Sequence, residues 1–166
     1  FGNLASRTTA MIERYFEGII PPEGTITDGD RKIQEIVRDA AANADAAIDR
    51  LAIDEAVAAI WTIVDALNGY ITEQEPWALA KDDAQRERLG TVLYTAAEGL
   101  RALAVLMSPV IPKACETLWI ALGAAETLGR LRDQPIRDAG TWGQLKPGSS
   151  VNGLAPWFPR VESTID

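Results

Sequence analysis

Asn3 and Arg7 stand four positions apart, so a helix running through them carries both on one face. An asparagine amide offers a donor and an acceptor to the edge of a nucleobase. An arginine offers a planar cation whose directional donors contact phosphate, or whose plane lies flat on a base. Ser6, between them, supplies a hydroxyl that suits a contact or helix capping equally well. Further along, Trp77 directly follows Pro76, a constrained junction at which an indole makes a platform for an unpaired base. Asn68 and Tyr70 precede that junction, where they hydrogen-bond or brace it, and Glu75 caps the next helix or completes local hydrogen bonding. Taken singly, the Asn–Arg pair is ordinary helix polarity and Trp77 is a core plug. Taken together, they read as a recognition module for a single-stranded loop of RNA.

Bulk properties narrow the alternatives. The chain has 166 residues, 47% of them hydrophobic, enough for one domain with a sizeable core. It contains no histidine, which removes histidine-based triads and the commonest zinc chemistry. Neither a Walker phosphate loop nor a strand-linked dinucleotide fingerprint is present. No charge-free apolar run reaches membrane-spanning length and no secretory signal is evident, so no membrane partner and a cytoplasmic location are expected. The single cysteine, Cys115, forms no internal disulfide and reads as a buried helix residue. A net charge of −8 argues against broad phosphate binding but leaves room for short-range reading of a few bases. Phe1 is not a natural initiator, so the sequence is expected to be a fragment, with room for an active site on the N-terminal side that it lacks.

The elements that must position these groups are helical. Ala5, Ile12 and Phe16 share an apolar side of a first helix, with Met11 and Tyr15 beside them; Gly18 and the Pro21–Pro22 pair end it. Alanine-rich residues 31–50 form a second helix and residues 52–71 a third, the latter burying Ile53, Val57, Ile60, Trp61, Val64, Leu67 and Tyr70. Pro76 opens a short segment, residues 83–107 make another long helix, and Pro112 starts a further one that Gly123 breaks. The expected fold is all-α, a bundle of about five main helices with an extended C-terminal segment packing back on it. Residues 1–142 are expected to form the bundle domain, and residues 143–166 a linker returning toward an absent catalytic domain.

At this point the sequence resembles the helical anticodon-binding domain of bacterial-type methionyl-tRNA synthetases. The resemblance runs from Phe1 to about Asp166. It is carried by Asn3 to Arg7, by Asn68 and Tyr70 with Glu75–Pro76–Trp77, by Ser108 to Pro112, and by Trp157 to Val161. It implies that Asn3, Arg7 and Trp77 help to recognise the CAU anticodon of methionine tRNA. Trp77 would stack on the first anticodon base, while Asn3 and Arg7 contact base edges or hold the splayed loop. Asn68, Tyr70 and Arg14 are assigned supporting or secondary RNA contacts. The implied partners are the anticodon loop and a catalytic domain elsewhere, and the isolated chain is expected to be monomeric. The parent, a methionine–tRNA ligase, would activate methionine with ATP and Mg2+ and transfer it to tRNA. This chain would bind no cofactor or metal and be inactive alone. Residues 148–151, Gly-Ser-Ser-Val, depart from the basic character expected after the Lys146–Pro147 turn. Two rivals remain: a structural bundle mediating protein or interdomain contacts, and an independent enzyme using acids such as Asp82–Asp83 or Asp45 and Asp49.

Overall fold

A helix that is apolar on every side must sit inside others. Residues 89–107 are largely apolar all round, and every one of them is buried, the paired Glu98 and Arg101 included. The computed structural model, which describes residues 1–154, makes this helix the axis of an all-α bundle. The first three helices are α1 (Gly2–Phe16), α2 (Asp28–Asp49) and α3 (Ile53–Gln74). A short α4 (Pro76–Leu79) leads through a 3₁₀ turn (Asp83–Gln85) into the axial helix α5 (Arg86–Met107). α6 (Pro112–Ala121) and α7 (Ala124–Leu128) follow, then two further 3₁₀ turns. Helices α1, α2, α3, α4 and α6 all pack against α5. Asp83–Met107 is long and apolar enough to cross a membrane, but its apolar window lies wholly inside the bundle.

α2 and α3 form a hairpin through a turn in which Leu51 takes φ 59°. Small residues let helices approach closely: a Cβ on Gly99 of α5 would lie 2.7 Å from a methyl carbon of Leu67 on α3. α2 begins at Asp28, three residues before the expected start, because Thr27 and Asp30 form a capping box. The Asp30 carboxylate accepts the Thr27 N–H at 2.8 Å.

Of the residues expected in the buried face of α3, two are exposed and Val57 is only half-buried. Trp61 is 43% exposed, since it sits about 100° around the helix from the buried Ile60. Ile53 is 54% exposed; it shares the buried stripe but lies in the first turn, at the rim of the bundle. Cys115 is fully buried on α6, and burial pushes its thiol up to about 12, which removes the reactive thiolate at neutral pH.

Beyond α7 the chain crosses the bundle as an extended strap. Gly148 N–H donates to Ile20 O at 2.9 Å, Ile20 N–H to Ser149 O at 2.9 Å, and Val151 N–H to Gly18 O at 2.6 Å, closing an antiparallel bridge between Ile19 and Ser150. Asn152 N–H reaches Ala121 O at 2.9 Å and Gly153 N–H reaches Glu13 Oε1 at 2.8 Å. The strap thereby ties the exit of α1 to the end of α6. Trp157 to Val161, one of the segments that carries the resemblance, lies outside the described residues.

Candidate nucleic-acid interface

On α1 the buried residues Leu4, Ala5, Thr8, Thr9 and Ile12 occupy one side. At 100° per residue, Asn3, Arg7 and Arg14 fall within about 40° of one another on the opposite side. Asn3 and Arg14 are exposed and Arg7 is half-buried. Arg7 lies about 10 Å along the axis from Arg14, and Asn3 about 16 Å. The three form a strip down the helix.

Trp77 meets that strip at its C-terminal end. It is 39% exposed. A cleft of about 340 Å³ is lined by Arg14, Tyr15, Trp77, Ala80 and Lys81. The structure therefore sets Trp77 beside Arg14 and Tyr15, whereas Asn3 stands at the far end of the strip with Arg7 between. The Arg14 guanidinium lies 5.6 Å from the centre of the Tyr15 ring and that of Arg86 lies 4.5 Å from the centre of the Phe16 ring. Arg86 also donates to the Tyr15 carbonyl at 3.2 Å, where the final turn of α1 leaves acceptors free. Lys81 and Arg86 were not singled out from sequence, although Lys81 follows Trp77 by four positions and so shares its side of the chain.

The presentation of Trp77 follows from the junction before it. Glu75 ends α3 and starts α4 with φ 46° and ψ 58°, left-handed geometry in a residue that is not glycine. Its N–H donates to Ile71 O at 3.1 Å, and its carbonyl accepts from Ala78 at 2.8 Å and Leu79 at 3.2 Å. The Glu75 side chain makes no capping hydrogen bond, so the backbone alone performs the role expected of it. Pro76 is buried and the next residue, Trp77, turns outward.

Tyr70, also expected in the buried face of α3, and Asn68 both hydrogen-bond within the bundle. Tyr70 is only 4% exposed and its hydroxyl donates to Asp30 Oδ1. Burial, and next Asp30, push its phenol above the usual range. Of the two roles open to Tyr70, contact and bracing, the geometry leaves bracing. Asn68 donates its amide to Val64 O at 3.0 Å, one turn back on its own helix, and does not line the Trp77 cleft.

Below the junction lies a cluster that was not foreseen. Arg88 donates to both oxygens of the buried Asp30, at 2.6 and 2.9 Å, and to Gln74 Oε1 at 2.6 Å. Burial alone would raise the Asp30 carboxyl, but hydrogen bonds from Arg88, the Thr27 N–H and Tyr70 together hold it down to about 2. Asp82 accepts the Ala84 N–H at 3.0 Å, an ordinary cap for the 3₁₀ turn. Among the described residues no group of three or more His, Cys, Asp or Glu side chains is placed to hold a metal ion.

The axial-helix bundle thus carries on α1 a strip of Asn3, Arg7 and Arg14 that ends beside Trp77 of α4. The sequence matches the family described as the anticodon binding domain of methionyl tRNA ligase over residues 20–163. It is 46% identical over 165 residues to the methionine–tRNA ligase of Streptomyces coelicolor, covering 98% of this chain and 31% of the relative. It is 41% identical over 165 residues to that of Deinococcus radiodurans, covering 99% of this chain and 23% of the relative. The fold superposes with TM-score 0.85 and 28% identity on the Mycobacterium tuberculosis methionyl-tRNA synthetase in complex with methionyl-adenylate, covering 96% of this chain and 30% of that one. The chain belongs to the family of anticodon-binding domains of methionyl-tRNA ligase. It spans less than a third of the length of these relatives.

Proposed function

We propose that this chain is the non-catalytic, tRNA-recognising part of a cytoplasmic methionine–tRNA ligase, and that it reads the CAU anticodon of methionine tRNA along the strip from Asn3 to Trp77. The observation that carries the reading is Trp77, exposed beside Arg14, Tyr15 and Lys81 at the end of a helix face that also bears Asn3 and Arg7. An indole held at a fixed junction stacks on an extruded base, with about 1–3 kcal/mol at stake for such a platform. The Asn3 amide pairs with a base edge, and the Arg7 fork takes a base edge or a phosphate of the splayed loop. Arg14 and Lys81 flank the platform and meet the backbone of the stacked nucleotide. Activation of methionine by ATP and transfer to tRNA belong to the catalytic part of the ligase; no chemical step is assigned to these residues. Residues 143–166 are proposed to lead from the bundle, residues 1–142, back toward that part.

A second reading, a bundle that serves protein or interdomain contacts, draws support from the exposed Leu51, Ile53 and Trp61 at and near the tip of the α2–α3 hairpin. One titration separates the two. The ligase is mixed with RNA hairpins bearing CAU or altered loops, as wild type and as a folded Trp77→Ala variant. Selective CAU binding that the variant loses by tenfold or more, on the order of the stacking energy, supports the anticodon reading. Equal binding to every loop, or indifference to Trp77, favours the contact-surface reading.

A further inference from the structure

The Trp77 platform hangs from a backbone that is not at rest. Glu75 occupies the left-handed region at φ 46° without being glycine, a conformation that costs a side-chain-bearing residue about 1 kcal/mol. Backbone hydrogen bonds from Glu75 N–H to Ile71 O and from the Ala78 and Leu79 N–H groups to Glu75 O close the turn, and its seating on the bundle rests on the residues to either side. On the far side Pro76 is buried. On the near side stands Gln74, the last residue of α3, whose side-chain oxygen accepts a hydrogen bond from Arg88 Nη2 at 2.6 Å.

Arg88 is itself fixed. Its guanidinium spans both oxygens of Asp30, which is sealed from solvent in the first turn of α2 and further held by the Thr27 N–H and the Tyr70 hydroxyl. One planar group on α5 thus joins the start of α2 to the final residue of α3, one position before the strained turn. Only a fork serves here, because three hydrogen bonds in one plane to two acceptor residues exceed what a lysine ammonium arranges rigidly.

We propose that Arg88 and Gln74 are positioning residues for anticodon reading: the Arg88–Gln74 hydrogen bond locks the α3–α4 junction so that the Trp77 ring stays aimed into the cleft beside Arg14. The inference rests on the anticodon reading and deepens it. It concerns the Gln74 arm of the cluster, since the Asp30 arm holds the bundle together whatever the domain binds.

The test uses the full ligase and two RNA hairpins, one with CAU and one with its first anticodon base changed. Gln74→Leu removes the acceptor and leaves the Asp30–Arg88 pair in place. It is expected to weaken CAU binding roughly fivefold, the value of one lost hydrogen bond, and to narrow discrimination between the hairpins while the melting temperature holds. Gln74→Glu restores an acceptor for the same guanidinium and is expected to recover binding. Arg88→Lys keeps the charge opposite Asp30 without the fork and is expected to reproduce the Gln74→Leu loss. In a Trp77→Ala background Gln74→Leu should add nothing, because its effect runs through Trp77. Wild-type binding by Gln74→Leu, failure of Gln74→Glu to recover it, or additivity with Trp77→Ala overturns the inference while leaving the anticodon reading intact. No effect of Trp77→Ala in a folded ligase defeats that reading and the inference together.

Discussion

The Arg101 guanidinium and the Glu98 carboxylate, nearly one turn apart on α5 and both sealed from solvent, lie 2.9 Å apart and hold the C-terminal strap between them. Arg101 donates to the carbonyls of Ala139 at 2.9 Å and Thr141 at 3.1 Å, while Glu98 accepts the N–H groups of Gln144 and Leu145, each at 3.0 Å. A segment without regular structure brings unpaired backbone groups into the interior, and these two side chains satisfy them. Removing one partner leaves the other buried without its counter-charge. Glu98→Ala is therefore expected to destabilise the fold by about 3–5 kcal/mol in urea unfolding. Loss of hydrogen-exchange protection at Gln144 and Leu145 should accompany it.

Asp30 makes the fold sensitive to acid. Its folded-state carboxyl stands near 2, against 3.8 ordinarily. A carboxyl held low in the native state contributes stability above its unfolded pKa, and that contribution is lost as pH falls from about 4 toward 2. The shift corresponds to roughly 2 kcal/mol. In Asp30→Asn the curve of unfolding free energy against pH should be flatter between pH 4 and 2 than in wild type, and lower at pH 7. Parallel curves for the two proteins would remove Asp30 as the source of the acid sensitivity.

Much of the frame was legible because helical period is a local property. The long helix over residues 83–107, the proline starts at Pro76 and Pro112, and the break at Gly123 all follow from near neighbours; that residues 89–107 are buried on every side does not. What sequence could not supply were pairings between distant residues. Glu98 and Arg101 look like solvated charges until a strap some forty residues onward is laid across them. Arg88 and Asp30 are 58 positions apart and likewise invisible as a pair. Trp61 shows the opposite limit: a large apolar residue near a buried stripe is not buried unless a neighbouring helix reaches round to it. Tyr70 lies within a motif that carries the resemblance, yet it serves the interior.

Glu75 offers a direct probe of junction stiffness. Glycine adopts φ 46° without penalty, so Glu75→Gly relieves native strain but also loosens the unfolded chain and widens the local ensemble. The two stability effects nearly offset, and the change in unfolding free energy should stay within about 1 kcal/mol. Affinity for a CAU hairpin should nevertheless fall, because the bound geometry is no longer pre-set. Tighter binding by the glycine variant would show that Glu75 strain opposes recognition instead of serving it.

Base reading and phosphate attraction separate along the strip, and salt tells them apart. Arg14 and Lys81 flank the Trp77 cleft as side-chain cations, while Asn3 is uncharged and stands at the other end of α1. Each phosphate contact on a single strand steepens the dependence of log K on log salt by about 0.7. Arg14→Gln together with Lys81→Gln should lower affinity for all loops alike and flatten that slope by on the order of one unit. Asn3→Ala should leave the slope unchanged and reduce the preference for CAU over altered anticodons, since a lost base-edge pair is worth about 1–3 kcal/mol of discrimination. The measurement is a set of titrations at several salt concentrations with matched hairpins. If Asn3→Ala alters the slope, or the double variant alters the base preference while the slope stays fixed, the assignment of roles along the strip is reversed: the cations would read and the amide would merely hold.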